Sequence, residues 1–266
     1  MKVSCIQIKS GENSKLNLKK TVNLVLKSIK NGSDLIITPE ATSILTDNKK
    51  KLFAESTTMD KDPFVKQISL ISKNYKKWII IGSVFIKENK KLRNRSVVFS
   101  PTGKIKSFYD KISMFDVQLD NGESYKESMQ FNAGKKLKIV SLPWGKLGLT
   151  ICYDLRFPEI YRALSKKGAL FITVPSAFTR YTGKKHWLAL LKARAIENFC
   201  YIFAPNQTGK NSKKRTTYGH STIISPDGKI LKLIKFKEGI ISVDINPQQA
   251  IKLRKFIPSL QKKLFI

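Results

Sequence analysis

Short apolar runs rich in Val, Ile and Leu alternate along this chain with helical patterns and tight turns, and that alternation is what most limits the possible folds. The run "VSCIQIK" (residues 3–9) reads as a strand. Leu16, Val22, Val25, Leu26 and Ile29 then fall near helical spacing, and Asn31-Gly32 ends that helix. "DLIITPE" is a buried strand closing on Glu40, followed by a helix around Phe64 to Ser72 and the strand "WIIIGSVFI". "SVVFSPTGKIKSFYDK" reads as meandering strands turning at "PTG", and "LKIVSLPWGKLGLTICYD" as two strands joined at Trp144 and Gly145. A helix beginning near Pro158 leads to the strand "ALFITVPSA", and a longer helix covers roughly His186 to Asn198. "CYIFAPN", "HSTIISPDGKILKLI" and "GIISVDI" supply the last strands. Continuous apolar strands that end in polar residues and are separated by helices predict an α/β class, with sheets covered by helices on their outer faces.

At 266 residues the chain can bury a large core, and it contains no linker rich in Pro, Gly or Ser and no internal repeat, so one domain over 1–266 is expected. No apolar stretch approaches the roughly 18 residues that a membrane span needs, and the opening "MKVSCIQIKS" lacks the apolar segment of a signal peptide. A cytoplasmic protein is the expectation. Cys5, Cys152 and Cys200 are too few and too scattered for a disulfide framework or a metal site. Cys5 and Cys200 lie inside strand-like runs and read as small buried hydrophobes. The formal charge of +31 would ordinarily point to nucleic acid. Here the excess is nearly all lysine, spread over helix faces and turns without an arginine-rich arm, so a solvated lysine surface is the reading, one that also attracts carboxylate substrates.

In layered α/β folds ligands collect at the carboxyl ends of strands. Glu40 ends one strand, Lys111 another, and Cys152 a third. A thiol attacks only as thiolate, so a working cysteine needs a base or a positive neighbour. The chain has two histidines, His186 and His220, in neither case within a familiar cysteine-protease signature. A sufficiently desolvated carboxylate can take the proton instead, and a lysine beside it can neutralise the developing oxyanion. Glu40, Lys111 and Cys152 supply those three groups, although any soluble protein offers some Glu, Lys and Cys.

Four stretches add what spacing cannot. "TPE" at 38–40, "YDKISMFD" at 109–116, "YKES" at 125–128 and "ICYDLRFPEIYR" at 151–162 resemble, in order and separation, the motifs of the nitrilase (carbon-nitrogen hydrolase) superfamily. The match continues through "PSAFTRYTGKKHW", "LLKARAIENFCYIFAPNQTG" and "RTTYGHSTIISPDGKIL", and so covers nearly the whole chain. The resemblance implies a four-layer αββα sandwich, commonly dimeric, that hydrolyses a non-peptide C–N bond without metal or cofactor. Carried over by motif, Cys152 is the nucleophile, Glu40 the general base, Lys111 the oxyanion partner and Glu127 the second glutamate, with Glu123 its alternative one turn away. The backbone N–H of Tyr153 would share the oxyanion with Lys111, through a thioester intermediate.

The same resemblance sets expectations around the site. Ser176, Ala177 and His186 are substrate-pocket candidates, Arg156 and Glu159 read as a structural pair, and His220 as a hydrogen-bonded support. The apolar residues of the helix after Cys152 and of the tail, about 247–266, are expected at a homodimer interface. "PSAFTRYTGKKHW" with "NQTG" and "RTTYGHS" looks most like the deaminated glutathione amidase branch, with the ω-amidase branch close by. Two positions depart from that branch: Leu188 stands where a glutamate usually follows "HW", and Thr208 where a cysteine is common. The expected partner is a small amide that carries a carboxylate, not nucleic acid or a membrane.

Overall fold

The computed structural model describes residues 1–261. In chain order the first half holds β1 (Lys2–Gln7), α1 (Ser14–Lys30), β2 (Leu35–Ile37), α2 (Lys49–Glu55), α3 (Pro63–Tyr75), β3 (Trp78–Glu88), β4 (Lys91–Phe99) and β5 (Ile105–Asp110). A small hairpin of β6 (Asp116–Gln118) and β7 (Ser124–Lys126) follows, then β8 (Lys138–Leu142), β9 (Gly145–Leu149) and a 3-10 turn at Cys152–Arg156. The rest is α4 (Pro158–Lys166), β10 (Ala169–Thr173), α5 (Arg180–Asn198), β11 (Tyr201–Ala204), β12 (Thr208–Lys210), β13 (Thr216–Tyr218), β14 (Ser221–Ile224), β15 (Ile230–Ile234), β16 (Gly239–Asp244) and α6 (Gln248–Phe256).

The large strands form two six-stranded sheets, ordered β16-β1-β2-β3-β4-β5 and β15-β14-β11-β10-β9-β8. Each has three parallel strands at its centre, β1 to β3 in one and β9 to β11 in the other, flanked by antiparallel neighbours. Side chains alternate across a strand with period two, and here both faces are apolar. Val3, Cys5, Leu35, Ile37 and Ile80 point into the core shared with Leu147, Leu149 and Ile172 of the second sheet. Ile6, Ile8, Ile36, Ile79 and Ile81 point the other way, against Val25 of α1 and Phe64, Ile68 and Ile71 of α3. On the far side Tyr161 and Leu164 of α4 and Trp187, Leu191 and Ala195 of α5 cover the second sheet. The layers are therefore helix, sheet, sheet, helix, the αββα sandwich expected above.

Local signals explain the helix ends. Asn13 caps α1, its Oδ1 accepting from Leu16 N–H at 3.0 Å, and Gly32 leaves the helix at φ +81°. Asp62 caps α3 before Pro63, and Pro158 opens α4 at the position where its missing N–H costs nothing. One expectation fails: α5 begins at Arg180, six residues before His186. Gly183 reads as a breaker in sequence, yet a Cβ there would lie 2.5 Å from Tyr218 Cγ, so glycine serves close packing of the helix on β13. Thr179 supplies the missed N-cap, its side chain accepting from Thr182 N–H.

Three strands also stop short of their polar endings. β2 ends at Ile37, β5 at Asp110 and β9 at Leu149, so Glu40, Lys111 and Cys152 each stand just past a sheet rather than in it. Cys5 and Cys200 are fully buried, as expected of small hydrophobes. Arg156 pairs with His186, Nη2 to Nδ1 at 3.2 Å, and makes no ion pair with Glu159 among the described residues. Of the tail, α6 ends near Phe256, 79% exposed, and Ile257, 53% exposed, while 262–266 lie outside the described residues. No described helix is long and apolar enough to cross a membrane.

Candidate active site

The three strand ends converge on one cavity of about 870 Å³, whose wall includes Glu40, Lys111, Glu127, Cys152, Tyr153 and Ala177. Each reactive residue is held by backbone contacts that its own neighbourhood supplies. After β2 the chain passes over Gly82, where a Cβ would sit 2.0 Å from the Thr38 carbonyl oxygen and 2.5 Å from Pro175 Cβ. Only glycine permits that approach between the two sheets. Ala41, next to Glu40, is left-handed at φ +54°, and its N–H donates to Ser83 Oγ at 2.8 Å while Gln207 Nε2 donates to the Glu40 carbonyl at 2.9 Å.

Cys152 is itself left-handed at φ +48°, a strained state for a residue with a Cβ. Its N–H donates to the Pro175 carbonyl at 3.0 Å. Ahead of it, Ile151 N–H donates to Asp154 Oδ2 at 2.9 Å. That turn leaves the Tyr153 N–H without a hydrogen-bond partner among the described residues, an orphan amide of the kind every helical start exposes.

Asp154 does more than cap the turn. Its carboxylate, fully buried, also accepts from Tyr109 O–H at 2.7 Å through Oδ2 and from Ser113 N–H at 2.9 Å through Oδ1. Tyr109 and Ser113 bracket Lys111, so one side chain ties the Cys152 turn of the second sheet to the Lys111 segment of the first. Arg95 adds a two-pronged pair to Asp110 at 2.7 and 2.9 Å, fixing the last residue of β5.

The Lys111 ammonium, 2% exposed, lies between two carboxylates. Its Nζ donates to Glu40 Oε1 at 3.0 Å, to Glu127 Oε2 at 2.8 Å and to Glu127 Oε1 at 3.1 Å. Asn94 Nδ2 bridges the same pair, at 2.9 Å to Glu40 Oε1 and 3.0 Å to Glu127 Oε1. Ala177 N–H holds the other oxygen of Glu40 at 2.8 Å, and Phe115 N–H holds Glu127 Oε2 at 2.7 Å. Glu123, the alternative second glutamate, points elsewhere and accepts from Tyr125 O–H at 2.7 Å.

The electrostatics follow from this packing. Burial alone would push the Glu40 carboxyl up, but the charges of Lys111 and Arg215 and the neighbouring Cys152 thiol hold it below its ordinary 4.5. Burial pushes Cys152 the other way, upward, reinforced by the Glu40 carboxylate and only partly opposed by Lys111. Burial would lower Lys111, yet the Glu127 and Glu40 carboxylates raise it well above the usual lysine value. At neutral pH the resting arrangement is thus a thiol, a facing carboxylate and a permanent ammonium. A carboxylate so placed can take the thiol proton as the sulfur attacks, and the ammonium and an orphan amide can hold an oxyanion.

The other expected pocket residues divide. Ala177 lines the cavity, Ser176 is buried with its Oγ donating to the Val174 carbonyl at 3.1 Å, and His186 faces Arg156 outside the wall. His220 stacks on Tyr218 at 4.0 Å between ring centroids, with its Nδ1 2.9 Å from the Tyr218 carbonyl. Leu188 packs against the core, and Thr208 Oγ1 donates to the Phe236 carbonyl at 2.8 Å, so neither departure from the branch pattern touches the cavity. Asn94, Asp154 and Arg215 are the functional candidates that sequence reasoning misses. Asn94 shares the buried face of "KLRNRSVVF" with Leu92, Ser96 and Val98, and its amide at an inward position is the available signal.

Known proteins resemble the chain over nearly its whole length. Residues 2–255 match the family model described as carbon-nitrogen hydrolase. The chain is 38% identical over 268 residues to the deaminated glutathione amidase of Synechocystis sp. (strain PCC 6803 / GT-S), spanning 99% of this chain and 98% of that one. It is 35% identical to the deaminated glutathione amidase of Yersinia enterocolitica, spanning 99% and 93%. Among solved structures, Saccharomyces cerevisiae Nit3, described as a member of branch 10 of the nitrilase superfamily, superposes with a TM-score of 0.87 at 26% identity over 99% of this chain and 96% of that one. The C. elegans NitFhit protein gives 0.92 at 28% identity, with 98% of this chain spanning 64% of that longer one.

Proposed function

The chain belongs to the carbon-nitrogen hydrolase family and is a C–N bond hydrolase, and from that premise we propose that Cys152, Glu40, Lys111 and Glu127 carry the hydrolysis of an amide in a small, carboxylate-bearing molecule. One observation supports this reading above the rest: a buried ammonium, Lys111, joins two carboxylates, one of which faces a strained cysteine across a cavity. A purely structural ion pair has no use for the thiol, the cavity or the left-handed backbone.

In this mechanism Glu40 takes the Cys152 proton as the sulfur attacks the amide carbonyl carbon. Lys111 and the Tyr153 N–H hold the resulting oxyanion. Glu40 passes its proton to the nitrogen as the C–N bond breaks, leaving a thioester. Glu40 then deprotonates a water that attacks the thioester, the C–S bond breaks, the proton returns to sulfur and the acid leaves. Glu127, through both oxygens, keeps Lys111 where the oxyanion forms. Burial and the Glu40 carboxylate favour the protonated thiol in the free protein, so Glu40 must take that proton for the sulfur to attack.

Deaminated glutathione is the first candidate substrate, since the relatives at 38% and 35% identity carry that name. 2-Oxoglutaramate and N-carbamoyl amino acids are the alternatives. The test is ammonia or amine release from these three, simple aliphatic amides and a nitrile, with Cys152→Ala alongside. Release from one amide that disappears in the variant is expected; a wild-type protein that cleaves none of them refutes the reading. The proposed working unit is a cytoplasmic homodimer of one domain, sealed by α4 and the C-terminal tail, and a sedimenting monomer at micromolar concentration would refute the dimer.

A further inference from the structure

Arg215, a charged group of the cavity wall, has no role in the mechanism above. Arg215 stands on the loop after β12, its backbone N–H held by Ser212 Oγ at 3.1 Å. Its Nη2 donates to the Ala177 carbonyl at 2.8 Å, on the residue whose own N–H holds Glu40. Its guanidinium carbon lies 5.2 Å from the centre of the Tyr125 ring, which fixes the plane of the fork. The remaining donors are idle: Nε is buried with no partner, and Nη1 makes no hydrogen bond among the described residues.

No carboxylate among the described residues lies within ion-pair distance of this guanidinium. Two other acids of the wall are engaged elsewhere, Asp47 accepting from Lys214 N–H at 2.9 Å and Glu123 from Tyr125 O–H at 2.7 Å. The charge count of the site sharpens the point. Over the whole wall Lys49, Lys111, Lys126, Lys214 and Arg215 face Glu40, Asp47, Glu123 and Glu127, so the cavity carries one net positive charge and loses it without Arg215. A half-buried guanidinium with idle N–H donors suits a carboxylate acceptor.

We propose that Arg215 is the specificity-determining residue of this cavity, receiving a carboxylate of the substrate while the amide sits at Cys152. The inference rests on the amidase reading above and deepens it, because it names an acid-amide as the substrate class and assigns the residue that selects it. Tyr125 and the Ala177 carbonyl orient the fork. The same guanidinium also acts on Glu40 through space, so a change at 215 alters turnover of every substrate somewhat. Discrimination between charged and neutral amides is therefore the quantity to read.

The experiment compares kcat/KM for glutaramate and for pentanamide, which replaces the carboxylate by a methyl group, in wild type, Arg215→Gln and Arg215→Lys. Loss of a charge-assisted pair is expected to cut the glutaramate-to-pentanamide ratio on the order of 10- to 100-fold in Arg215→Gln, chiefly through KM, with partial recovery in Arg215→Lys. A second measurement needs no change at 215: phenylglyoxal modification of Arg215 in Cys152→Ala protein, mapped by mass spectrometry with and without glutarate. Protection by glutarate supports the inference. An unmoved ratio, or no protection in a protein whose wild type cleaves amides, overturns it. If no amide is cleaved but glutarate still protects Arg215, the amidase proposal fails and the carboxylate subsite stands.

Discussion

Asp154 ties the Cys152 turn to the Lys111 segment across the two sheets, and replacing it by Asn tests whether that tie positions the site. The carboxylate accepts three hydrogen bonds on two oxygens, from Tyr109 O–H and Ile151 N–H on one and Ser113 N–H on the other. Asparagine has one acceptor oxygen, so its amide group must face either Ser113 N–H or the Ile151 and Tyr109 side. At least one buried backbone donor is left without a partner, a loss of about 1–3 kcal/mol. For a chain of this size that corresponds to a fall in Tm of roughly 2–12 °C. The larger effect is on rate. Ile151 precedes the strained Cys152, and Ser113 lies two residues beyond Lys111, so slackening either shifts nucleophile against oxyanion partner. A displacement of about 1 Å at a reacting centre can cost about 100-fold in rate. Asp154→Asn should therefore lower kcat tenfold or more while KM stays within about threefold, measured beside Tyr109→Phe, which removes only the hydroxyl. A variant that loses Tm but keeps full kcat would show that Asp154 serves the fold alone, and the positioning argument would be wrong.

Other outcomes follow from the same geometry. Glu127→Gln leaves Lys111 with Glu40 as its one full counter-charge, so kcat should fall about 10- to 100-fold with the fold intact by circular dichroism. The pH profile of kcat/KM should show its acid limb below pH 4.5, because the folded Glu40 is held below its ordinary value; an acid limb near 6 would contradict that electrostatic account. By linkage the same depressed pKa contributes stability that is present above pH 4.5 and lost as the pH falls through the folded value, which acid unfolding of wild type and Glu40→Gln would compare. Gly183→Ala forces a Cβ to 2.5 Å from Tyr218 Cγ and should cost about 1–3 kcal/mol in thermal or urea unfolding, with an unchanged Tm refuting the close-packing reading of that glycine.

Much of this protein was legible in its residues, for reasons that differ by element. The β-branched runs at 3–8, 35–37, 78–86 and 201–204 declare themselves as strands because both of their faces are buried, and no helix tolerates such runs as readily. The Asn31-Gly32 stop marks the end of its helix because it satisfies backbone groups locally. The start of α5 was not legible, since Gly183 looks like a breaker until Tyr218, from a distant strand, is seen against it. The hairpin of β6 and β7 turns at Asn121-Gly122, a signal strong in itself but submerged in a polar stretch.

The sequence by itself determined the alternation of strands and helices and the order in the chain of Cys152, Glu40, Lys111 and Glu127, whose roles the family resemblance implies. These depend on residue type and short-range pattern, which survive without knowledge of the fold. Tertiary structure alone decided which glutamate meets Lys111, placing Glu127 at 2.8 Å while Glu123 turns to Tyr125. It also brought in Asn94, Asp154 and Arg215, and it set the directions in which Glu40 and Cys152 titrate. Each of those depends on groups far apart in sequence, 54 residues between Glu40 and Asn94 and 137 between Glu40 and Ala177, meeting where two sheets close over a cavity. Desolvation and charge pairing act through space, so they exist only once that closure has happened.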